Sequence, residues 1–298
     1  VFYGCSRLTS VELPAQTVSI GNEAFGDCPL LATLSLGEGL KSIGRSAFEN
    51  CIALTGVSMP ADMESIGALA FKGCTKLASA ALGNSLTLLG DSAFYGCSAL
   101  QSVELPVTVS SVGTRTFAGC SALNAVGLGN VSTIGEAAFN GCSALTEIAI
   151  PNGVETLGNY AFYGCSSLAT VTLGTQERSS SSLKTIGDYA FANCASLASA
   201  TLELQTEKLI GTFSGCALLG NVSVQEGLLT IGEGAFANAG KNAEGGLTFE
   251  IPSSVQEIGK NAFNASGISS VTIPAKVPAI SAGAFMDTEK LTSITFEK

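Results

Sequence analysis

The sequence predicts an α/β solenoid of about 12 to 13 repeats of about 23 residues, with a parallel β-sheet on the concave face and short helical turns on the convex face. Three observations predict it. The ten cysteines recur at steps of 22 or 23 residues, apart from one step of 29. A phenylalanine stands three residues before each cysteine, and an apolar L-x-x-V-x-L segment begins three residues after it. A fixed period indicates a repeat array, because zinc sites need ligands a few residues apart and disulfide frameworks keep no regular step.

The L-x-x-V-x-L segment predicts a short strand with one buried face. Its second half alternates apolar and polar residues, as in Val103, Glu104 and Leu105. Proline often follows the segment, where it can end the strand: Pro14, Pro60, Pro106, Pro151, Pro252 and Pro274. One repeat cannot bury its own apolar face, so we expect successive strands to pair in parallel.

The segment that leads to each cysteine predicts a short helical turn. In one repeat, the apolar residues Ile43, Ala47, Phe48 and Cys51 fall within an arc of roughly 140° at about 100° per residue. A glycine follows the isoleucine of most repeats, and Gly, Asn or Asp precedes the cysteine. We expect a positive φ at both of these positions.

We expect residues 1–298 to form a single array without separate domains. Two polar insertions break the period, at 175–182 and 240–246, and we expect both to be flexible loops. The chain begins at Val1 in the middle of a repeat, so we also expect that further residues precede it.

The composition excludes several function classes. The chain has no histidine, which excludes Ser–His, Cys–His and His–metal mechanisms. Its formal net charge of −10 argues against a nucleic-acid partner, since such affinity comes from clustered Lys and Arg. Phosphate-binding, G-x-S-x-G and calcium-loop motifs are absent from the sequence, as is a membrane-spanning segment. We therefore expect no catalytic residues, no cofactor, no metal and no membrane insertion of this chain.

The cysteine column has two interpretations. It is either a thiol relay or metal rack, or a buried ladder of small apolar side chains. Ala239 at the equivalent position of a later repeat favours the ladder. Disulfides along it are disfavoured, because neighbouring positions hold Cβ atoms about 4.8 Å apart with parallel vectors.

The sequence resembles a known family. The L-x-x-V-x-L core with its 23-residue period, and the I-G-x-x-A-F-x-G-C signature at 43–51 and 157–165, are similar to BspA-type leucine-rich repeats over the whole chain. The last three repeats depart from it, with Ala239, Ser266 and Thr288 in the cysteine position. The resemblance implies a right-handed leucine-rich-repeat solenoid in a bacterial or protist protein at the cell surface or secreted.

The resemblance also implies a function. We expect a non-enzymatic adhesion or protein-interaction module that binds host matrix proteins or other cell-surface ligands, with protein or glycan as partner. The alternative is a structural spacer, a stalk that presents another domain. Fold alone does not decide between them.

Exposed tyrosines supply the first candidate contact residues. Tyr160, Tyr163 and Tyr189 stand in neighbouring repeats beside the repeat phenylalanine. Tyrosine often anchors protein interfaces, so we expect these three to form a contact patch. The alternative is that they cover the outer edge of the core.

The outward positions of the strands supply the others. Concave strand faces are the usual binding surfaces of such solenoids, and we select Glu104, Glu147, Thr170 and Thr172 there. The outward strand positions contain no aromatic residue and no arginine. The alternative is therefore that these small and hydroxylated residues serve only packing and solubility.

Overall fold

A computed structural model describes residues 1–173, 183–202 and 206–298. It contains two compact units, 1–145 and 146–298. The first predicted insertion, 175–182, lies outside the described residues. Each unit consists of coils in which a strand of two to four residues, a second strand of two residues and a turn segment follow one another. The prediction of one uninterrupted array over 1–298 stays a prediction.

The first unit contains twelve strands among its described residues. They are β1 (Ser10–Glu12), β2 (Ser19–Ile20), β3 (Thr33–Ser35), β4 (Ser42–Ile43), β5 (Gly56–Ser58), β6 (Ser65–Ile66), β7 (Ser79–Ala81), β8 (Leu88–Leu89), β9 (Ser102–Glu104), β10 (Ser111–Val112), β11 (Ala125–Gly127) and β12 (Thr133–Ile134). The odd-numbered strands pair in parallel as β1–β3, β5–β7 and β9–β11. The even-numbered strands form the parallel sets β2–β4–β6–β8 and β10–β12.

The second unit repeats this arrangement in its described part. Its strands are β13 (Glu147–Ile150), β14 (Thr156–Leu157), β15 (Thr170–Leu173), β16 (Thr185–Ile186), β17 (Ser199–Leu202), β18 (Lys208–Leu209), β19 (Asn221–Val224), β20 (Thr230–Ile231), β21 (Thr248–Phe249), β22 (Glu257–Ile258), β23 (Ser270–Ile273) and β24 (Ser293–Phe296). The main pairs are β13–β15, β17–β19–β21 and β23–β24, and the short strands pair as β14–β16 and β18–β20–β22. All are parallel.

The predicted strands are confirmed. In β9 the central Val103 is buried and its neighbours Ser102 and Glu104 are exposed, as one-sided burial requires. Partners occupy the same repeat position, for example Ser10 and Thr33, so each column of the repeat becomes a row on the sheet. The even-numbered two-residue strands were not predicted from the sequence, and all of them except β18 end in the Ile, Leu or Val that precedes a glycine. Whether the main strand face is concave stays a prediction.

A phenylalanine stack fills the core of each unit. In residues 1–145 the rings of successive coils are nearly parallel, with centroids 5.2–5.6 Å apart. In residues 146–298 the corresponding spacing is 5.1–6.1 Å. Ten of these rings are fully buried, and nine of the ten cysteines are buried beside them. The predicted core columns are therefore confirmed.

The predicted helical turns are wrong, and so is the predicted α/β class, because the described residues form strands and turns only. The described residues form no helix, and the segments that carry the phenylalanines are runs of turns. Two residues of each segment, such as Ser46 (φ 52°) and Asn50 (φ 59°), have left-handed backbone, which a right-handed helix cannot contain. Alternate amides consequently point at the next coil. For example, the N–H groups of Glu23, Phe25 and Asp27 donate to three carbonyls of the following coil at 2.8 Å.

The two glycine columns have different causes. The residue before the cysteine has a positive φ in all eleven repeats for which it was predicted, which confirms that column. The glycine after the isoleucine, such as Gly44 or Gly67, does not have a positive φ, so the prediction of left-handed backbone at this second column is wrong. A Cβ on Gly67 would lie 2.7 Å from the backbone of Gly44 in the preceding coil. Glycine is needed there because adjacent backbones approach closely, and not for its φ.

The second predicted insertion, 240–246, is tied to its neighbours and is not a free loop. The N–H of Asn242 donates to the carbonyl of Ala217 at 2.9 Å, and Lys290 Nζ donates to the carbonyl of Ala243 at 3.2 Å. Ala243 itself is buried. Left-handed glycines at 240, 245 and 246 allow the chain to turn this tightly.

Candidate functional site

The described part of the chain contains no cluster of side chains suited to bind a metal ion. Among residues 1–173, 183–202 and 206–298, no group of three or more Cys, Asp or Glu side chains is placed to hold a metal ion. These same residues also contain no helix that is long and apolar enough to span a bilayer.

The buried cysteines act as structural donors. Eight of the buried thiols, among them those of Cys74 and Cys97, donate to the phenylalanine carbonyl of the preceding coil at 3.1–3.3 Å. Burial raises the pKa of Cys51, Cys120 and Cys216 to about 12. A thiol that stays protonated at neutral pH is neither a nucleophile nor a metal ligand. The geometry therefore favours the ladder interpretation over a thiol relay.

The structure brings the three predicted tyrosines together. The rings of Tyr160 and Tyr189 stack with centroids 5.4 Å apart and an interplanar angle of 4°. The ring of Tyr163 meets Tyr160 edge-on at 5.7 Å. Tyr160 is 38% exposed, and the other two are half-buried. We call Tyr160, Tyr163 and Tyr189 the tyrosine ledge.

The backbone fixes the position of the ledge. Tyr160 (φ 57°) and Tyr189 (φ 58°) occupy the first left-handed position of their turn segments, which aligns the two side chains in adjacent coils. The N–H of Tyr160 donates to the carbonyl of Asp188 at 2.9 Å. Gly211 holds the same position in the next coil, where a Cβ would lie 2.2 Å from the Tyr189 ring. The absent side chain thus leaves room for Tyr189 to lie flat.

Charged groups surround the ledge. Partial burial raises the pKa of Tyr189, and Tyr160, Glu233 and Asp188 raise it further through their charges. Lys208 Nζ lies 4.0 Å from Asp188 Oδ1. In the described part of the chain, none of the three ledge hydroxyls donates a hydrogen bond. Tyr3 differs, because its hydroxyl donates to Asp27, which raises the pKa of Tyr3.

The strand residues form a separate group. Glu147 on β13 pairs with Thr170 on β15, and Ala149 pairs with Thr172, so Glu147, Thr170 and Thr172 lie on one exposed face. They belong to strands, whereas the ledge belongs to turn segments. The structure therefore does not join the two predicted groups into one site.

Glu104 lies in the other unit. Its side chain covers Gly127 of the paired strand, where a Cβ would lie 1.7 Å from Glu104 Oε2. It borders a shallow depression of about 600 Å³ that also includes Ala81, Pro106 and the exposed Val107. The depression is mainly apolar, with Glu104 as its charged side chain.

Asp188, Glu233 and Gly211, which lie around the ledge, were not among the residues predicted from the sequence. Asp188 directly precedes Tyr189, so this adjacency was visible in the sequence. Gly211 and Glu233 become visible only when the repeats are aligned, and the repeat at 209–216 is one residue shorter between its leucine and phenylalanine. That deletion hides the equivalence of Gly211 with Tyr160 and Tyr189.

Known structures share the fold. A leucine-rich repeat protein from Bacteroides ovatus is 28% identical, with a TM-score of 0.74 over 98% of this chain and 80% of its own. A leucine-rich cell surface protein from Faecalibacterium prausnitzii is 22% identical, with a TM-score of 0.51 over 97% of this chain and 88% of its own. The pneumococcal vaccine antigen PcpA is 21% identical, with a TM-score of 0.55 over 97% and 69%. No curated protein matches the chain.

The family comparison covers nearly the whole sequence. Six copies of the BspA type leucine rich repeat region match residues 1–124, 126–242 and 245–298. The residues that the repeat model matches are those that form the parallel strands, the phenylalanine stack and the cysteine column. The chain therefore belongs to the BspA-type leucine-rich repeat family.

Proposed function

We propose that this chain is a non-enzymatic adhesion module, displayed at the cell surface or secreted, that binds matrix proteins or other cell-surface ligands. The tyrosine ledge is the observation that carries the proposal. Its rings are partly exposed and already stacked, so little side-chain entropy is lost on binding. Tyrosines of this kind supply most of the energy of many protein interfaces.

Family membership supports the protein-interaction role and suggests the location outside the cell. The buried thiols argue against cysteine-based catalysis, because burial keeps them protonated. Protein is the partner class that a cluster of partly exposed tyrosines favours, with a glycan as the other candidate, since both stack on aromatic rings.

The test measures binding of the chain to immobilised collagen, laminin and fibronectin. We expect the double variant Tyr160→Ala/Tyr163→Ala to weaken a positive interaction by at least about tenfold. Tyr95→Ala is the matched control, because Tyr95 is 41% exposed but lies in the other unit. The variant Glu147→Gln/Thr170→Ala/Thr172→Ala tests the strand face in parallel.

Each outcome assigns the surface. Loss of binding in the ledge variant alone supports the proposal, whereas loss in the strand variant alone moves the contact to the strand face. Binding to none of the matrix proteins would favour the spacer. The regular stacking of rings through each unit is the observation consistent with that second role.

A further inference from the structure

The chemistry around the tyrosine ledge specifies the partner more closely. Tyr189 has both ring faces covered, one by Tyr160 and the other by Gly211. It therefore supports the ledge, and the surface open to a partner belongs to Tyr160 and Tyr163. An aromatic ring carries a negative face that attracts cations.

Two carboxylates add to that attraction. Asp188 precedes Tyr189, and its carbonyl accepts the N–H of Tyr160. Glu233 occupies the same repeat position two coils later, and its carbonyl accepts the N–H of Gly211 at 2.9 Å. Both residues thus stand one position before the column that holds Tyr160, Tyr189 and Gly211. The charges of both also reach the Tyr189 phenol, whose pKa they raise.

Asp188 forms only a weak ion pair within the chain. Lys208 is 4.0 Å from Asp188, whereas the other three ion pairs among the described residues measure 2.8–3.0 Å. The side chains of Lys208 and Asp188 are 60% and 37% exposed, and an exposed pair at that distance contributes little. An incoming cation can replace Lys208 at small cost.

We propose that the ledge recognises an arginine side chain of the partner protein, with the guanidinium against Tyr160 and Tyr163 and in electrostatic contact with Asp188, while Glu233, three coils from Tyr160, adds attraction at longer range. The inference rests on the proposed function and names the chemistry of its partner. Guanidinium suits the site better than ammonium, because it is planar, stacks on aromatic rings and pairs with carboxylates. The net charge of −10 also attracts a basic partner.

The test is an NMR titration of the chain with ring-labelled tyrosine. The probe is acetyl-Gly-Arg-Gly-Arg-Gly-amide, and the control peptide carries citrulline, which is planar but neutral, at both arginine positions. The chain has five tyrosines, so Tyr3 and Tyr95 report non-specific effects within the same sample. We expect the arginine peptide to shift the Tyr160 and Tyr163 signals and to bind at least about fivefold more tightly than the citrulline peptide.

Three variants test the carboxylates. Asp188→Asn/Glu233→Gln should weaken arginine-peptide binding by about fivefold and leave the citrulline peptide unaffected. Lys208→Met should tighten it about twofold, because the internal rival for Asp188 is removed. Lys184→Met is the matched control, since Lys184 pairs with Glu155 at 3.0 Å away from the ledge column.

Equal affinity for the two peptides, equal shifts at all five tyrosines, or an unchanged affinity in the carboxylate variant would overturn the inference. A parallel titration with cellohexaose shows whether a sugar binds in place of a cation, which would also overturn it. Failure here is distinct from failure of the proposed function. If the ledge variant loses matrix binding while the arginine peptide does not bind, the contact surface stands and only its cationic partner is wrong.

Discussion

One buried oxygen in the cysteine column lacks the hydrogen bond that the neighbouring thiols make. Eight buried thiols donate to a phenylalanine carbonyl of the preceding coil. Ser266 takes the cysteine position in its repeat, and among the described residues its hydroxyl is the one buried side-chain oxygen without a partner. A C–O bond is shorter than a C–S bond, so the hydroxyl stops short of the carbonyl that a thiol would reach. An unpaired buried hydroxyl costs about 1–3 kcal/mol.

This predicts that Ser266→Cys stabilises the protein. The thiol would donate to Phe236 of the preceding coil, and the site would bury a less polar group. We expect the free energy of unfolding to rise by about 1 kcal/mol. Urea unfolding under reducing conditions, followed by circular dichroism, measures it.

The reverse substitution is the matched control. Cys97→Ser replaces a thiol whose Sγ lies 3.1 Å from the Phe71 carbonyl with a hydroxyl in the same position. We expect a loss of about 1–3 kcal/mol. A Ser266→Cys protein that is no more stable than the parent would contradict the explanation of the orphan hydroxyl.

Among the elements, the main strands were predictable from the sequence, whereas the two-residue strands and the turn segments were not. The strand signal is an alternation of apolar and polar residues, and alternation has one structural meaning. The apolar spacing of the turn segment fits both a helical turn and a run of left-handed turns. The residues that decide between them include Glu23, Leu69 and Arg115, which all have a positive φ. These residue types give no sign of such a backbone, so the sequence favoured a helix.

The tyrosine ledge was likewise predicted only in part from the sequence. Its three tyrosines were identified from exposure and repeat position alone. Their stacking depends on the left-handed column and on Gly211, neither of which the sequence pattern indicated. Asp188 and Glu233 were overlooked because acidic residues are common on any exposed surface. The alignment of such residues in one repeat position becomes visible only in the structure, where adjacent coils lie side by side.

One hydrogen-bonded contact between coils makes the stability of the fold depend on pH. The carboxylate of Glu226, beyond β19, accepts the N–H groups of Ser253 and Ser254 at 3.0 and 2.9 Å. These bonds, first of all that from the Ser253 backbone, hold the pKa of Glu226 below its ordinary value of 4.5. A depressed pKa means that the carboxylate stabilises the fold above pH 4.5 and that this stabilisation is lost as pH falls through the folded-state value.

We therefore predict that Glu226→Gln flattens the fall in stability on acidification. The urea midpoint of the parent should drop more steeply than that of the variant below pH 4.5. Glu226 is fully exposed, so the difference should shrink at high salt. Glu38→Gln is the control, because Glu38 is also an exposed carboxylate but lies in the other unit. Parallel curves for Glu226→Gln and the parent would show that the carboxylate does not fasten the two coils.

For the molecule as a whole, thiol accessibility reports the integrity of the coils. Of the ten free cysteines, Cys5 is exposed and the other nine are buried. Burial raises the pKa of Cys51 to about 12 and places that of Cys97 well above its ordinary value. Thiol reagents react with the thiolate, so the buried column is protected both sterically and by protonation. Labelling of a buried thiol then requires its coil to open.

We predict that one thiol per chain reacts rapidly with Ellman's reagent at pH 8 and that all ten react in denaturant. Cys5→Ser should abolish the rapid phase and leave the slow phase unchanged. Mass spectrometry of chains after partial labelling gives the opening rate at each coil, because every labelled position is a separate repeat. Fewer than about eight reactive thiols after denaturation would show disulfides and contradict the free ladder. Rapid reaction of all ten in the native protein would mean that the coils do not remain closed, and the stacked rings would then not protect the column as the structure requires.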